Sequence, residues 1–144
     1  MKRIFAVTNQ KGGVGKTTTT INLGASLALA DRRVLMVDMD PQANLTSGIG
    51  KKGDFSPEGT VYEALTRDNA EAAKYIVETE VSGLSLLPAD RNLTGAEVEL
   101  VSLDYRERRL RPLLRQVHDQ FDFILIDTPP SLGLLTVNAL VAAE

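Results

Sequence analysis

The chain of 144 residues carries 16 lysines and arginines against 19 aspartates and glutamates, so its formal net charge is -3. A hydrophobic content of 43% and a charged content of 24% are typical of a globular domain, which excludes a disordered chain. The sequence has no cysteine, and this excludes disulfides, thiolate zinc sites and cysteine-ligated iron–sulfur clusters. The length predicts one domain over residues 1–144.

Apolar segments are short throughout the chain. The first, at residues 4–7, ends at polar Thr8 and is too short for the core of a signal peptide. No stretch approaches the roughly 18 apolar residues of a membrane span. We therefore expect a cytoplasmic protein with no membrane contact, and the mild acidity gives no whole-chain reason to expect nucleic-acid binding.

The first half of the chain reads as strand, loop, helix and strand. An apolar run at residues 3–9 predicts a buried strand, and a glycine-rich loop follows it. Apolar and small residues three and four apart predict a helix over 16–30 with a small-residue face packed on a sheet. Residues 34–37 predict a second buried strand, and the polar, glycine-containing segment 40–59 is expected to be a loop.

Helices and strands continue to alternate in the second half. Capping-box spacings start at Thr60 and at Thr94, and Pro112 inside a leucine stripe predicts a new first turn or a kink. The predicted elements are a helix over 60–67, a short helix over 70–73, an edge strand over 75–79, a strand over 84–87, a helix over 110–117, a strand over 123–126 and a helix over 134–143. This alternation predicts an α/β fold with a mainly parallel β-sheet flanked by helices, whose ligands bind at the carboxyl ends of the strands.

A phosphate-binding loop is the strongest chemical signal. Its residues are Lys11, Gly12, Gly13, Val14, Gly15, Lys16, Thr17 and Thr18. Glycines are expected to adopt positive φ and turn N–H groups toward phosphate oxygens, while the helix N-terminus adds partial positive charge. Lys16 would reach the β- and γ-phosphates, and Thr17 would offer its hydroxyl to Mg²⁺. The alternative is a glycine-rich turn with a solvated lysine.

Three aspartates follow predicted strands. Asp127 ends the most apolar strand and is suited to hold the shell of a Mg²⁺ ion, or alternatively to cap the turn before Pro129. Asp38 and Asp40 flank Met39, so in extended backbone their side chains would point to the same side. Either of these two could instead be a turn-former before Pro41.

Three motifs in this order resemble a known family. The loop has Gln10 where the general P-loop has glycine, and QKGGVGKTT at 10–18 resembles the deviant Walker A motif of the ParA/MinD family of P-loop ATPases. DMDPQ at 38–42 resembles its switch I, and FILIDTPP at 123–130 its Walker B and switch II. With LLTVNAL at 134–140, the match is close to the ParA/Soj partition branch, whose members are usually longer. A P-loop NTPase-like domain truncated at its C-terminus is therefore expected.

The resemblance implies roles for these residues. The protein would bind and hydrolyse Mg-ATP as a switch of chromosome or plasmid partitioning, with Asp40 polarising the hydrolytic water and Asp38 beside the Mg²⁺ site. Lys11 would contact the nucleotide of a second subunit, so that ATP drives homodimer formation. A ParB-like protein would stimulate turnover. Non-specific DNA binding, and nucleoid association with it, belongs in this family to the segment that the sequence lacks.

Other functions share these motifs. A MinD-like positioning ATPase would need a C-terminal amphipathic helix, and a nitrogenase-iron-protein-like reductase would need cysteines. An amidoligase of the cobyrinic acid synthase type would need a substrate domain for which the chain has no room. A nucleotide-binding fragment without turnover of its own is the remaining alternative, and dimer formation together with hydrolysis would discriminate against it.

Five arginines between residues 106 and 115 invite a nucleic-acid hypothesis. Three of them, Arg108, Arg111 and Arg115, fall on the helix face opposite the leucine stripe, so a solvated face is the preferred interpretation. His118, the only histidine, is given no role.

Overall fold

The computed structural model describes residues 3–8 and 14–144. Five strands form one sheet, in the order β1-β5-β2-β4-β3. They are β1 (Arg3–Val7), β2 (Val34–Asp38), β3 (Val77–Glu78), β4 (Leu84–Leu87) and β5 (Phe123–Asp127). The first four in this order pair in parallel, while β3 pairs antiparallel with β4 at the edge. The predicted mainly parallel sheet, with 75–79 as an edge strand, is therefore confirmed.

Helices connect the strands and cover both faces of the sheet. The α-helices are α1 (Val14–Leu29), α2 (Asn44–Gly48), α3 (Val61–Thr66), α4 (Ala96–Glu99), α5 (Leu110–Val117) and α6 (Leu134–Ala142). Short 3-10 turns lie at Ala72–Lys74, Arg91–Gly95, Leu100–Ser102 and His118–Gln120. Within the described ranges, no helix is long and apolar enough to cross a membrane.

Strand β2 shows how the sheet is buried on both faces. Leu35 and Val37 belong to the larger apolar cluster, whereas Val34 and Met36 belong to a second cluster on the other side. All four are fully buried, as expected for a central strand covered by helices on both faces. The alternating core therefore places the carboxyl end of β2 between two helical layers.

Helix α1 packs closely on this sheet through a glycine. A Cβ added at Gly24 would lie 3.1 Å from Met36 Sδ and 3.3 Å from Leu84 Cδ1. Both distances are shorter than ordinary van der Waals contact, so the predicted small-residue face is confirmed.

The start of α1 differs from the prediction. The helix begins at Val14 and already includes Gly15, whose φ is not positive. The expectation of positive φ is therefore wrong for Gly15, because this glycine forms part of the first helical turn. Gly12 and Gly13 lie outside the described residues.

The segment predicted as a loop over 40–59 contains α2. Ala43 precedes it with φ of 55°, and Leu45 and Thr46 are fully buried. Periodicity over five residues is too short to show in a sequence, so tertiary anchoring of these two side chains defines the helix.

The two predicted capping boxes have opposite outcomes. At α3 the box forms, because the Thr60 N–H donates to Glu63 Oε1 at 2.7 Å and the Tyr62 N–H donates to Thr60 Oγ1 at 3.2 Å. The box at Thr94 is wrong, since Gly95 precedes α4 without a side-chain cap. Glu97 instead accepts from the backbone N–H groups that begin α6, so a tertiary contact takes the place of the local one.

Helix α5 begins where the proline predicted a first turn. Pro112 is its third residue, where the missing N–H costs no intrahelical bond. Asn138 of α6 accepts from the N–H groups of Arg109 at 2.8 Å and Leu110 at 3.1 Å. A buried amide of α6 thus fixes the start of α5.

Candidate functional site

The site lies where the carboxyl ends of β2 and β5 meet the first turn of α1. Asp38 and Asp127 are partners in the parallel register of these strands. The Met39 N–H donates to the Asp127 carbonyl at 2.8 Å, which carries the pairing one residue further. In parallel sheets flanked by helices, ligands bind at this edge. The topology therefore brings motifs from distant parts of the sequence to one place.

The Asp127 carboxylate accepts two hydrogen bonds from side chains of α1. Lys16 Nζ donates to Asp127 Oδ1, and Thr17 Oγ1 donates to Asp127 Oδ2 at 2.8 Å. Lys16 is only 7% exposed and Asp127 is fully buried, so little water screens the ion pair. Both Asp127 oxygens face the helix, while the next residue, Thr128, uses its own N–H on Val7. Both carboxylate oxygens of Asp127 thus bond to α1, and its role in ligand binding stays a prediction.

The first turn of α1 can receive an anion. Its residues include no acidic side chain, and the first N–H groups of a helix have no intrahelical acceptors. Among residues 3–8 and 14–144, no heavy atom lies within 4 Å of a Cβ added at Gly15. The first N–H groups of such a helix are suited to bind phosphate oxygens.

Asp38 is held by three donors. Its Oδ2 accepts from the Thr46 N–H at 3.0 Å and the Thr46 hydroxyl at 2.7 Å, and its Oδ1 accepts from the Asp40 N–H at 3.1 Å. Burial raises the pKa of Asp38 to about 7, because the loss of solvation outweighs these hydrogen bonds. The Thr46 hydroxyl also accepts from the Ala89 N–H at 3.0 Å. Asp38 thus joins β2, α2 and the end of β4.

Asp40 lies two residues after Asp38, and its N–H donates to the Asp38 carboxylate. It is 6% exposed, and its Oδ1 accepts from the Gln42 N–H at 3.0 Å, as in an Asx turn. Burial raises the pKa of Asp40, while the positive charge of Lys16 opposes the shift. Within residues 3–8 and 14–144, no hydrogen bond reaches its Oδ2. Asp40 therefore combines a turn-forming oxygen with one that has no donor within the part of the chain that the structure describes.

Two site residues were not predicted. Thr46 is eight residues from Asp38 and lies in a segment without periodicity, so only the three-dimensional structure joins them. Thr128 is fully buried, and its hydroxyl donates to the Val7 carbonyl at 2.7 Å, which ties the segment after β5 to the end of β1. A threonine after Asp127 carries no sequence signal for this contact.

Some predicted loop residues cannot be placed at the site. Lys11, Gly12 and Gly13 lie outside the described residues, and the side chain of Val14 is not described either. Thr18 is exposed on α1. Among the described residues of the predicted loop, Lys16 and Thr17 therefore contact Asp127.

The oxygen atoms of the site fit the ligand preference of a magnesium ion. Thr17 and Asp127 supply oxygen atoms, the ligands that Mg²⁺ prefers, and they already lie within hydrogen-bond distance. Among the described residues there is no group of three or more His, Cys, Asp and Glu that could hold a metal ion alone. In phosphate-binding proteins Mg²⁺ is usually held by one or two protein ligands together with phosphates and water.

Comparisons with known proteins agree with this geometry. A family model described as an AAA domain matches residues 2–144. The chain is similar to the chromosome partitioning protein ParA of Myxococcus xanthus, with 58% identity over 99% of this chain and 50% of that protein. It is 53% identical to the sporulation initiation inhibitor protein Soj of Bacillus subtilis, over 100% of this chain and 56% of that protein. The chain thus spans about half the length of these curated relatives, and the predicted resemblance to the ParA/Soj branch is confirmed.

A solved structure confirms the fold class. Cobyrinic acid a,c-diamide synthase from Mycobacterium smegmatis, with bound ATP analog and magnesium, superposes with a TM-score of 0.92 and 45% identity. The match covers 99% of this chain and 57% of that one. The match covers only part of that longer protein, so the expectation that an amidoligase would need a further substrate domain stays a prediction.

Proposed function

We propose that this chain is the nucleotide-binding part of a Mg-ATP-dependent partition switch. The chain belongs to the AAA domain family, whose model matches residues 2–144. The observation that carries this proposal is the joint contact of Lys16 and Thr17 with Asp127. It places a cation, a hydroxyl and a carboxylate at the start of a helix whose N–H groups can bind phosphate.

Thr17 and Asp127 would hold Mg²⁺ through their oxygens. When bound, Mg-ATP supplies a phosphoanhydride to be cleaved and a cation that neutralises charge on the phosphates. Asp38 would serve beside the metal as a positioning residue, since its two oxygens are engaged by Thr46 and Asp40. Its contacts hold the backbone that carries Asp40.

Lys16 would bind the phosphates. Its ammonium is buried against Asp127 and sits in the first turn of α1, where the helix dipole also favours negative charge. The flexible lysine stem lets the ammonium reach a phosphate oxygen while Asp127 and Thr17 turn toward Mg²⁺. The phosphate-loop roles of Lys11, Gly12, Gly13, Val14, Gly15 and Thr18 belong to the same proposal.

Asp40 would orient the water that attacks the terminal phosphate. The positive charge of Lys16 acts on its carboxylate, which supports a place near the phosphates that Lys16 would bind. Among the described residues no donor reaches its Oδ2, whereas its Oδ1 accepts from the Gln42 N–H. A carboxylate held at one oxygen can accept a hydrogen bond from water at the other and so align it.

Two copies of the chain would form a dimer when ATP is bound. Lys11 would reach the nucleotide of a second subunit and stabilise the developing charge only in the dimer, in the manner of an arginine finger. Dimerisation with ATP and stimulation by a ParB-like partner then follow from the ParA/Soj resemblance.

A nucleotide-binding assay tests the proposal. We expect a fluorescent ATP analogue to bind the chain in a Mg²⁺-dependent manner and Lys16→Ala to abolish binding. Lys74→Ala removes an exposed lysine distant in the fold and serves as the matched control, with circular dichroism to verify folding. Equal affinity of Lys16→Ala and the unmodified chain would contradict the proposal.

The match to a cobyrinic acid a,c-diamide synthase favours a second candidate, an ATP-dependent amidation of an acid. ADP release that requires both a carboxylic acid substrate and ammonia or glutamine would support this candidate. ADP release that needs neither would support the partition switch. Binding without ADP release, in the dimer as well, would support a nucleotide-binding module without turnover.

A further inference from the structure

A second cleft lies away from the candidate nucleotide site. It is formed between the segment that ends α3 and the start of α5, and it has a volume of about 570 Å³. Five arginines line it, together with one acidic residue, Asp68. The arginines are Arg67, Arg108, Arg109, Arg111 and Arg115. In a chain with a formal net charge of -3, this is a marked local excess of positive charge.

Two of these arginines are held in place. Arg109 donates from Nε to the Leu65 carbonyl at 2.9 Å and from Nη2 to Asp68 Oδ1 at 3.3 Å. Arg67 donates from Nη1 to the Glu58 carbonyl at 3.0 Å. Such bonds reduce the conformational entropy that the side chains would lose when they bind a ligand, so this wall of the cleft is preorganised.

The turn before α5 and the start of α5 are fixed through their backbone. Asn138 Nδ2 donates to the Arg106 carbonyl at 2.7 Å, while its Oδ1 accepts from the first N–H groups of α5. Asn138 is fully buried. The turn that carries Arg108 and the helix that carries Arg111 are therefore anchored to α6.

The other three arginines are exposed. Arg108 lies before α5 and interacts with the charge of Glu107, while within the described ranges Arg108, Arg111 and Arg115 make no ion pair. Arg111 and Arg115, four residues apart on α5, repel each other, and the first turn of α5 holds no acidic residue to offset them. The positive end of the helix dipole adds to the same potential. This arrangement reduces the stability of the free protein and favours a bound anion.

The shape of the cleft points to a small ligand. Its volume lies within the range of small-molecule sites, and apolar groups of Leu113 and Pro112 form part of its lining. Tyr105 also lines it, with the Arg108 guanidinium 5.3 Å from the ring centroid. Charges that converge on one concavity suit a compact anion better than a polymer, which is usually contacted along an extended stripe.

We propose that this arginine cleft binds a small anion that carries two or more phosphate groups. Arginine is suited to this role because its planar guanidinium donates two parallel hydrogen bonds to phosphate oxygens. The cleft uses no residue of α1, β2 or β5, so the inference stands independently of the proposed nucleotide function.

Calorimetric titration with inorganic tripolyphosphate tests the proposal. The probe can also bind at the first turn of α1, so we expect two binding events in the unmodified chain. The double variant Arg111→Gln/Arg115→Gln should weaken one event roughly tenfold or more and leave the other unchanged. Arg32→Gln/Arg91→Gln, which removes two exposed arginines outside the cleft, is the matched control.

The outcomes separate the two sites. Loss of one event in the cleft variant and loss of the other in Lys16→Ala would support both assignments. Equal titrations of the cleft variant and the unmodified chain would overturn the arginine site, even if Lys16→Ala still lost an event. Binding of a nucleic acid or an acidic polypeptide without binding of tripolyphosphate would also overturn it, since the surface would then serve a polymer.

Discussion

Thr17 and Asp127 meet through a hydrogen bond of 2.8 Å between Oγ1 and Oδ2, although one residue lies in the first turn of a helix and the other ends a strand 110 positions later. Neighbouring ligands of an octahedral Mg²⁺ ion, with bonds of about 2.1 Å, lie about 2.9 Å apart. The two oxygens are thus spaced as adjacent ligands of one ion would be. This relationship connects the phosphate loop to the acidic strand end.

Thr17→Ala should weaken the Mg²⁺-dependent part of ATP binding. The substitution removes one oxygen donor but leaves Lys16 and the helix N-terminus, so we expect a roughly tenfold or greater loss of affinity in Mg²⁺. Affinity in EDTA should change little. Titration with a fluorescent ATP analogue in both buffers measures the effect.

Thr17→Ser and Thr19→Ala are the controls for this experiment. The serine keeps the hydroxyl and should restore Mg²⁺-dependent binding, and Thr19 is an exposed threonine of the same helix. If Thr17→Ala binds with the same Mg²⁺ dependence as the unmodified chain, Thr17 does not contribute to the metal site.

Asp40→Ala should separate binding from hydrolysis. The buried carboxylate is proposed to align the water, so its loss should reduce turnover roughly 100-fold or more while ATP still binds. Phosphate release at saturating Mg-ATP and analogue binding are the two measurements. Asp54→Ala, at an exposed aspartate in the segment after α2, is the matched control. Unchanged turnover in Asp40→Ala would remove this residue from the mechanism.

Thr46→Val tests the anchoring of Asp38. The variant keeps the shape but removes the hydroxyl that donates to Asp38 and accepts from Ala89. Two buried polar groups then lose a partner, and we expect the free energy of unfolding to fall by about 1–3 kcal/mol. Urea unfolding measures this loss.

Thr94→Ala is the control for Thr46→Val. Thr94 is exposed and its predicted capping box does not form, so its substitution should leave the urea midpoint close to that of the unmodified chain. A loss at Thr94 as large as at Thr46 would show that the capping box does contribute, against the contacts described above.

Asp122→Asn probes a pH-dependent contact at the opposite end of the sheet. Bonds from the Arg33 side chain and backbone lower the pKa of Asp122 to about 2. Because the pKa in the folded state lies below that of the unfolded chain, the carboxylate stabilises the fold above about pH 4. This contribution is lost as the pH falls toward 2. The variant should therefore be less stable at pH 7 and approach the unmodified chain in acid.

Urea unfolding at pH 7 and at pH 3 measures this difference. Glu80→Gln, which neutralises an exposed carboxylate, should show no comparable change between the two pH values. An Asp122→Asn effect that is the same at both pH values would contradict the assignment of the pKa shift to Arg33.

The central sheet could be predicted because its strands carry their own signal. The β2 and β5 segments are short apolar runs that end in aspartate, and both faces of each are covered by helices. The strand order, which was not predicted, is needed in addition to place Asp38 beside Asp127. The edge of the sheet where the site lies follows from the same pattern.

Contacts made by polar side chains over long distances could not be predicted. Glu97 has the spacing of a capping box, yet its carboxylate accepts from the N–H groups of Leu134 and Leu135. Local spacing does not distinguish a cap on its own helix from a cap on a neighbouring one. The same holds for Thr46, whose hydroxyl donates to Asp38 at the end of β2 and accepts from the Ala89 N–H after β4.

We propose that bound ATP assembles this chain into a dimer, and molar mass by light scattering tests this proposal most directly. Asp40→Ala is used because blocked hydrolysis should preserve the ATP-bound state, and Lys11→Ala in the same background should remove the proposed contact between subunits. The account predicts a monomer without nucleotide, a dimer of Asp40→Ala with Mg-ATP, and a monomer of the double variant with Mg-ATP. A mass that does not change with Mg-ATP, or a double variant that dimerises normally, would contradict it.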